Sequence, residues 1–291
     1  MFPSVLPRPV DPMFSYRHAF HAGNFADVLK HFVQVEIISH LQKKDAPFDY
    51  IDTHAGAGMY RLQSDMAQKN QEYLNGIGKL QGSDALPELA PYLALIDDFN
   101  PGGQLQRYPG SPMIAAQMLR AQDKGWLYEL HPSDAELLRN NFAGNRNCRV
   151  RVEDGFKGLN GLLPTQSRRA LVLIDPPYEQ KEDYQRVVAA LSLIHRKMAT
   201  ATVAIWYPVV ERKRIDSLEK QIAATGIRKI ELFELGIRAD SEGHGMTSSG
   251  MIVVNPPWTL KEKMQALLPK LAQLLSEDGA AHFRCETLAG E

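Results

Sequence analysis

The sequence predicts an α/β fold built on a mostly parallel sheet, and three observations carry that prediction. From about position 125 onward, short apolar runs alternate with segments of helical period, the pattern of strand–helix–strand units. Several of these runs end in an acidic residue or a glycine turn, where the ligand crevice of such sheets lies. The chain, 291 residues and 44% hydrophobic, is long enough for one large domain with a sizeable core.

Composition excludes several classes. A net charge of -1 argues against a broadly basic coat for nucleic acid and leaves only local basic patches. Cys148 and Cys285 stand far apart and outside metal-ligand spacing, which points to a reducing, cytoplasmic compartment. No run approaches the roughly 18 apolar residues of a membrane span. Residues 1–12, MFPSVLPRPVDP, are proline-rich and aperiodic and read as a disordered extension, unless the natural start is Met13. Residues 13–291 form the domain.

The elements follow in order. Asn24 is a helix N-cap with Asp27 three residues on, and Leu29, Val33, Ile37 and Leu41 share one face. Pro47 closes that helical region. FDYIDTHAGAG (48–58) reads as a strand opening into a glycine turn, and residues 59–125 as helix or loop without a convincing strand. GWLYELHPSD gives a second strand ending near Glu129, then a helix capped by Ser133. RVRVEDGF gives a third strand ending at Asp154, and ALVLIDPPY a fourth. A helix over Tyr184–Met198, the strand TVAIWYPV and a helix over Glu211–Ala224 come next. RKIELFEL and GMIVVNPP complete seven strands. Between the last two, GIRADSEGHGMTSS (236–249) has no helical period. A parallel pair needs a longer, usually helical crossover, so the last strand is expected to run antiparallel.

That topology separates two look-alike motifs, LVLIDPPY (171–178) and MIVVNPPW (251–258). Asp175-Pro176-Pro177-Tyr178 should end on the ligand side. Asn255-Pro256-Pro257-Trp258 should end on the opposite side, where prolines stop a strand and Trp258 packs. The first motif suits methylation of an exocyclic amine. Such an amine is delocalised and a poor nucleophile until acceptors hold its hydrogens. The Asp175 carboxylate and the Pro176 carbonyl supply acceptors, and proline preorganises them. Tyr178 offers a ring on which a base can stack. The plainer alternative is a proline-terminated strand with a surface tyrosine.

Upstream, IDTHAGAG with Gly56 lets backbone approach a nucleoside cofactor. Glu129 ends the second strand, where an acid accepts ribose hydroxyls, and Asp154-Gly155 ends the third, where an acid takes the adenine amine. Singly, each also fits a strand-end carboxylate facing water. Together, in order, they describe a nucleoside-cofactor crevice with its reaction centre on strand four. The acid that a dinucleotide fingerprint places about 20 residues after its glycines has no strand-end counterpart, which counts against hydride transfer.

The segments MFSYRHAFHAGNFADVLKH, YIDTHAGAGMY, YPGSP, ELHPSD, EDGF, LIDPPYE and GMTSSGMIVVNPPW together resemble the ribosomal RNA large subunit methyltransferase J family, from about Met13 to near Pro257. The N-terminal Tyr-Arg-His-x-Phe-His-Ala-Gly-Asn run makes the resemblance specific. It implies a Rossmann-like class I methyltransferase with a helical insertion after strand 1, at about 63–106. The implied reaction is S-adenosylmethionine-dependent methylation of N6 of an adenine in 23S rRNA. At matching positions it implies His31, His54, Ser111, Glu129, Asp154, Gly155 and Asp175 as cofactor residues. Tyr16, His18 and Lys30 fall where the family meets substrate or shapes the pocket.

His54 stands where many methyltransferases have the first glycine of the turn. His31 shares a helix face with Val35 and Ile38, so a core-edge histidine is its alternative reading. His18 and His21 lack a third and fourth ligand at suitable spacing, and no metal is expected. Phosphate contacts are expected from Arg17, His18 and Lys30, with Arg168-Arg169 and Arg212-Lys213-Arg214 as further basic spots or solvated faces. The expected partner is 23S rRNA before full ribosome assembly, met by a monomer. The alternatives are a methyltransferase for DNA adenine N6 or another nucleobase amine, and a non-catalytic RNA-binding module.

Overall fold

Burial of the apolar runs organises one central sheet in the computed structural model, which describes residues 17–82, 86–240 and 245–291. The expected extension over 1–12 and the candidate Tyr16 lie outside the described residues. In chain order the elements are α1 (Phe25–Gln42), β1 (Asp49–Asp52), β2 (Met59–Arg61), α2 (Asp65–Asn70), α3 (Ile77–Leu80), α4 (Ala90–Asp98), β3 (Arg107–Pro109), α5 (Ser111–Met118), β4 (Lys124–Tyr128) and α6 (Pro132–Asn141). They continue with β5 (Cys148–Arg151), α7 (Gly155–Leu162), β6 (Ala170–Ile174), α8 (Glu182–Met198), β7 (Thr202–Val209), α9 (Arg212–Ala224), β8 (Ile230–Gly236), β9 (Ser248–Val254), α10 (Leu260–Leu275) and β10 (His282–Ala289).

The main sheet runs β10-β8-β9-β7-β6-β1-β4-β5. From β5 to β7 all neighbours are parallel. The run ALVLI of β6 is buried at every position, as a strand covered on both faces must be. As expected, β9 is antiparallel, inserted between β7 and β8 with Ile252 opposite both Ile205 and Leu232. One apolar layer, carried by α1, α5 and α10, covers one face, and a second, carried by α7, α8 and α9, covers the other.

Four expectations need correction. The sheet has eight strands rather than seven, because β10 adds a second antiparallel strand at its edge beside β8. The stretch 59–125 is not strand-free: β2 and β3 pair antiparallel, Tyr60 opposite Tyr108, and frame the insertion that holds α2, α3 and α4. The cap of α6 is His131, whose side chain accepts from the Asp134 amide, not Ser133, because Pro132 already begins the helix. The third strand ends at Arg151, and Asp154 instead caps α7, accepting from the Phe156 and Lys157 amides.

Asn24 caps α1 as expected, accepting from the amides of Ala26 and Asp27. This helix is buried on all sides from Phe25 to Ile38, polar residues included. A buried polar side chain must find a partner or be destabilising. The partners that Asp27, Lys30 and His31 find define the site.

Candidate active site at the carboxyl ends of the parallel strands

Strand β1 ends in Asp52, and the chain then turns through Thr53 to Gly58. Gly56 sits at φ +61°, and a β-carbon there would come within 2.3 Å of the Tyr60 hydroxyl. The Gly56 amide donates to Glu129 Oε2 at 2.7 Å, and the His131 amide to Oε1 at 2.6 Å. Glu129 thus joins the turn after β1 to the turn after β4. Burial pushes its carboxyl up to about 7. Asp52 itself points inward, fully buried, accepting from Tyr50 and Ser111 hydroxyls at 2.7 Å each. Burial raises it to about 6. It anchors Ser111, the first residue of α5, beside the turn.

Gly155 follows the cap Asp154, and a β-carbon on it would lie 2.1 Å from the Thr53 carbonyl. Gly155→Ala must therefore push the start of α7 away from β1. Overpacking of this kind costs about 1–3 kcal/mol, and we expect a lower melting temperature together with weakened nucleoside binding, read by thermal melts with and without ligand. His54 is wedged against the Phe156 ring, centroids 4.9 Å apart, and burial lowers its pKa to about 4. Arg186 of α8 closes this end, 2.5 Å from Asp154 Oδ2 and stacked over Phe156 at 4.5 Å.

At the other end, Lys30 reaches from α1 across the sheet. Its ammonium lies 2.7 Å from Asp175 Oδ2 and 2.9 Å from Asp27 Oδ1. Burial opposes that charge, but Asp175 and Asp27 outweigh it and hold the ammonium well above its ordinary value. Asp27, also buried, is held well below the usual carboxylate range by His18, Lys30 and His31. His18 Nε2 lies 2.9 Å from Asp27 Oδ2, and its ring tilts against Tyr60 at 5.1 Å. His31 is fully buried, with Nδ1 2.7 Å from the Tyr108 hydroxyl, and burial lowers its pKa to about 3.

His18, Lys30, His31, His54, Gly56, Ser111, Glu129, Asp154, Gly155, Asp175 and Pro176 all line one cleft, at the ends where β1, β4, β5 and β6 meet their helices. His31 is fully buried on α1, as a core histidine would be, and is also among the residues that line this cleft. Among the described residues no cluster of three or more His, Cys, Asp or Glu could hold a metal ion.

A family profile described as ribosomal RNA large subunit methyltransferase D, RlmJ, matches residues 45–287. The chain belongs to this family. A protein of Haemophilus influenzae named ribosomal RNA large subunit methyltransferase J is 49% identical over 281 residues, covering 96% of this chain and all of that one. An Escherichia coli K12 protein of the same name is 52% identical over 271 residues, covering 93% of this chain and 97% of that one. A crystal structure of a Legionella pneumophila protein superposes with a TM-score of 0.84 at 32% identity, covering 92% of this chain and 98% of that one. The fold is the Rossmann-like methyltransferase fold, with the chain's C-terminal strands antiparallel at one side of the sheet.

In this RlmJ-family chain Tyr178 adopts φ 54° and turns toward β7. Its hydroxyl donates to the Trp206 carbonyl at 2.7 Å and its ring packs on Tyr184 and Trp206. The second proline motif lies at the far end of the sheet. Asn255 Nδ2 donates to the carbonyls of Ala199 and Ala201, both at 2.8 Å, which ties β9 to the loop before β7. Trp258 does not pack, contrary to expectation: it is 79% exposed.

Within the two further basic spots, Arg169 and Arg212 are engaged internally. Arg169 donates to the Leu41, Ala46 and Pro47 carbonyls, and Arg212 grips the buried Glu234 and the exposed Asp240. Arg17 pairs with Asp134 at the cleft rim, 2.9 Å apart. Reading by sequence missed Asp27, Tyr60, Arg186 and Trp206. Asp27 alone carried a signal, three residues before Lys30 on one helix face. No helix among the described residues is long and apolar enough to cross a membrane.

Proposed function

We propose that this chain methylates the exocyclic N6 amine of an adenine in 23S ribosomal RNA, as a monomer, on RNA that is not yet fully assembled. The observation that carries this reading is the ion pair of Lys30 with Asp175, at the strand end where Asp175-Pro176-Pro177 lines the cleft with Glu129 and Asp154. The names of the relatives, which specify ribosomal RNA of the large subunit, support it.

The cleft residues suit S-adenosylmethionine. Glycine at 56 and 155 lets the turn after β1 pack against the Tyr60 hydroxyl and the start of α7 against the Thr53 carbonyl, contacts that a β-carbon would block, and buried His31 keeps a polar atom, Nε2, without a partner. Glu129 and Asp154 would accept hydroxyl and amine hydrogens, with His54 and Ser111 along the same wall. When bound, the cofactor supplies a methyl group on a positive sulfonium.

The chain's own residues prepare the nucleophile. Lys30 engages Asp175 Oδ2, which leaves Oδ1 as the acceptor for an amine hydrogen. The Pro176 carbonyl takes the second hydrogen, and proline brings no N–H that would repel the amine. With both hydrogens held, the nitrogen lone pair is freed from the ring for in-line attack. Tyr178, pinned by its hydroxyl, keeps the proline turn in place and lends its ring to the entering base. His18 and Lys30, with Tyr16 from the segment before them, shape the substrate side.

Incubation with methyl-labelled cofactor tests this. Label should enter deproteinised 23S rRNA and not DNA, and fully assembled ribosomal subunits should be poorer substrates. Label in DNA would favour the wider nucleobase-amine reading. Absence of cofactor binding by calorimetry would favour a non-catalytic RNA-binding module.

A further inference from the structure

We propose that Tyr108, with Tyr92 behind it, is a positioning residue that fixes His31 as an Nε2–H donor to the carboxylate of the cofactor's amino-acid end. The inference rests on the reading that the cleft takes S-adenosylmethionine.

The three side chains form a sealed chain. Tyr92, Tyr108 and His31 are each fully buried. The two hydroxyl oxygens lie 2.9 Å apart, and Tyr108 Oη is 2.7 Å from His31 Nδ1. Only one direction of donation uses both hydroxyl hydrogens. In that direction Tyr92 donates to Tyr108, and Tyr108 donates to Nδ1. The reverse, with Nδ1–H donating to Tyr108 and Tyr108 to Tyr92, leaves the Tyr92 hydrogen buried without an acceptor, an arrangement that folded proteins avoid.

Accepting at Nδ1 places the single ring proton on Nε2. A second observation agrees. Asp27 Oδ1 lies 3.9 Å from Nε2, too far for a hydrogen bond but close enough to favour a hydrogen over a lone pair on that nitrogen. His31 stays neutral, because burial holds its pKa near 3. Nε2 has no hydrogen-bond partner, and the residue lines the cleft.

The cleft's polarity says what Nε2–H meets. The ends of β4 and β5 present carboxylates, Glu129 and Asp154, suited to the hydroxyl and amine donors of a nucleoside. At the α1 end the carboxylates Asp27 and Asp175 are matched by Lys30 and His18, and the polar atom left over is His31 Nε2, a donor once Nδ1 accepts, so the acceptor-rich end of the ligand belongs there. Tyr108 and Tyr92 come from the insertion, β3 and α4, which on this account sets the tautomer of a cofactor residue on α1.

The test pairs a spectrum with a selectivity measurement. In histidine-labelled wild-type protein, nitrogen NMR should find His31 protonated at Nε2, the resonance being assigned against His31→Asn. Calorimetry should show Tyr108→Phe weakening S-adenosylmethionine roughly three- to tenfold, the loss of one hydrogen bond's alignment. Binding of 5′-deoxy-5′-methylthioadenosine, which lacks the amino-acid tail, should be unchanged. Protonation at Nδ1 in the wild type overturns the proposal, and so does an equal loss, or no loss, for the two ligands. The spectrum needs no variant and decides the tautomer even if Tyr108→Phe fails to fold. A wild-type protein that binds neither ligand refutes the cofactor reading instead, whatever the tautomer.

Discussion

Asp175→Ala is expected to lower methyl transfer by about a hundred- to a thousandfold, the scale seen when a preorganised polar group at a reacting centre is removed. The substitution deletes the acceptor for the amine and frees Lys30 from one of its two carboxylates. Lys30 keeps Asp27 at 2.9 Å, so its charge is not stranded. The fold should therefore lose less than the roughly 3–5 kcal/mol typical of a buried pair broken outright. Single-turnover assays together with thermal melts check both halves. Asp175→Asn is the sharper variant: it keeps volume and one acceptor oxygen, so a loss of similar size would locate the requirement in the charge held by Lys30. Full activity in either variant is incompatible with Asp175 gripping the substrate.

Lys30→Met is expected to be the most damaging change to stability. The methionine matches much of the stem, but it leaves Asp27 and Asp175 facing each other without the cation between them. Asp27 is 1% exposed and cannot recover its charge by hydration. A loss of roughly 3–5 kcal/mol follows, measurable as a shift in denaturant midpoint at unchanged slope.

The pH dependence separates this account from simple loss of packing. Burial works against the charge on Asp27, yet His18, Lys30 and His31 depress its pKa in the folded state. Its stabilising contribution is therefore present above the ordinary carboxylate value and lost as pH falls through the folded value. Lys30, opposed by burial but raised by Asp175 and Asp27, contributes below the ordinary lysine value and is lost only at still higher pH. The wild-type pair should thus be flat from about pH 5 to 9. Without Lys30 the Asp27 pKa rises, and acid destabilisation should begin at higher pH. Melting temperatures from pH 3 to 8 for both proteins would show it, and parallel curves would count against the assignment.

Much of this site was legible because it is written at strand ends. Glu129 and Asp175-Pro176 each follow an apolar strand directly, and Asp154-Gly155 follows β5 after two intervening residues as the cap and first residue of α7, so local sequence suffices to find them. The antiparallel course of β9 was legible too, from the absence of helical period over 236–249, and it separated Asn255 from Asp175 correctly. The inward-pointing carboxylate of Asp52 was not legible, since only the fold brings Ser111 to it from 59 positions away.

Long-range partners stayed hidden for the same reason. Lys30 meets Asp175 across 145 positions, and Arg186 meets Asp154 across 32. The strand β10 carries no clean alternation: its residues are half-buried or exposed, and it is held by pairing with β8 and by ion pairs of Arg284 with Glu219 and Glu286. The short β2 and β3 fall below any periodic signal. The spacing of Leu260, Met264, Leu267, Leu271 and Leu275 is helical, a signal that reading by sequence missed, and α10 runs through it with Pro269 inside the helix.

The central claim is that the grip of Asp175 and Pro176 selects an exocyclic adenine amine. Digesting rRNA methylated by this protein to nucleosides, and identifying the labelled one by chromatography and mass, tests it most directly. The account predicts a single labelled nucleoside, N6-methyladenosine, lost with Asp175→Ala. Label on a ring nitrogen, a ring carbon or a ribose oxygen would contradict it, because none of those positions presents two hydrogens for these acceptors to hold.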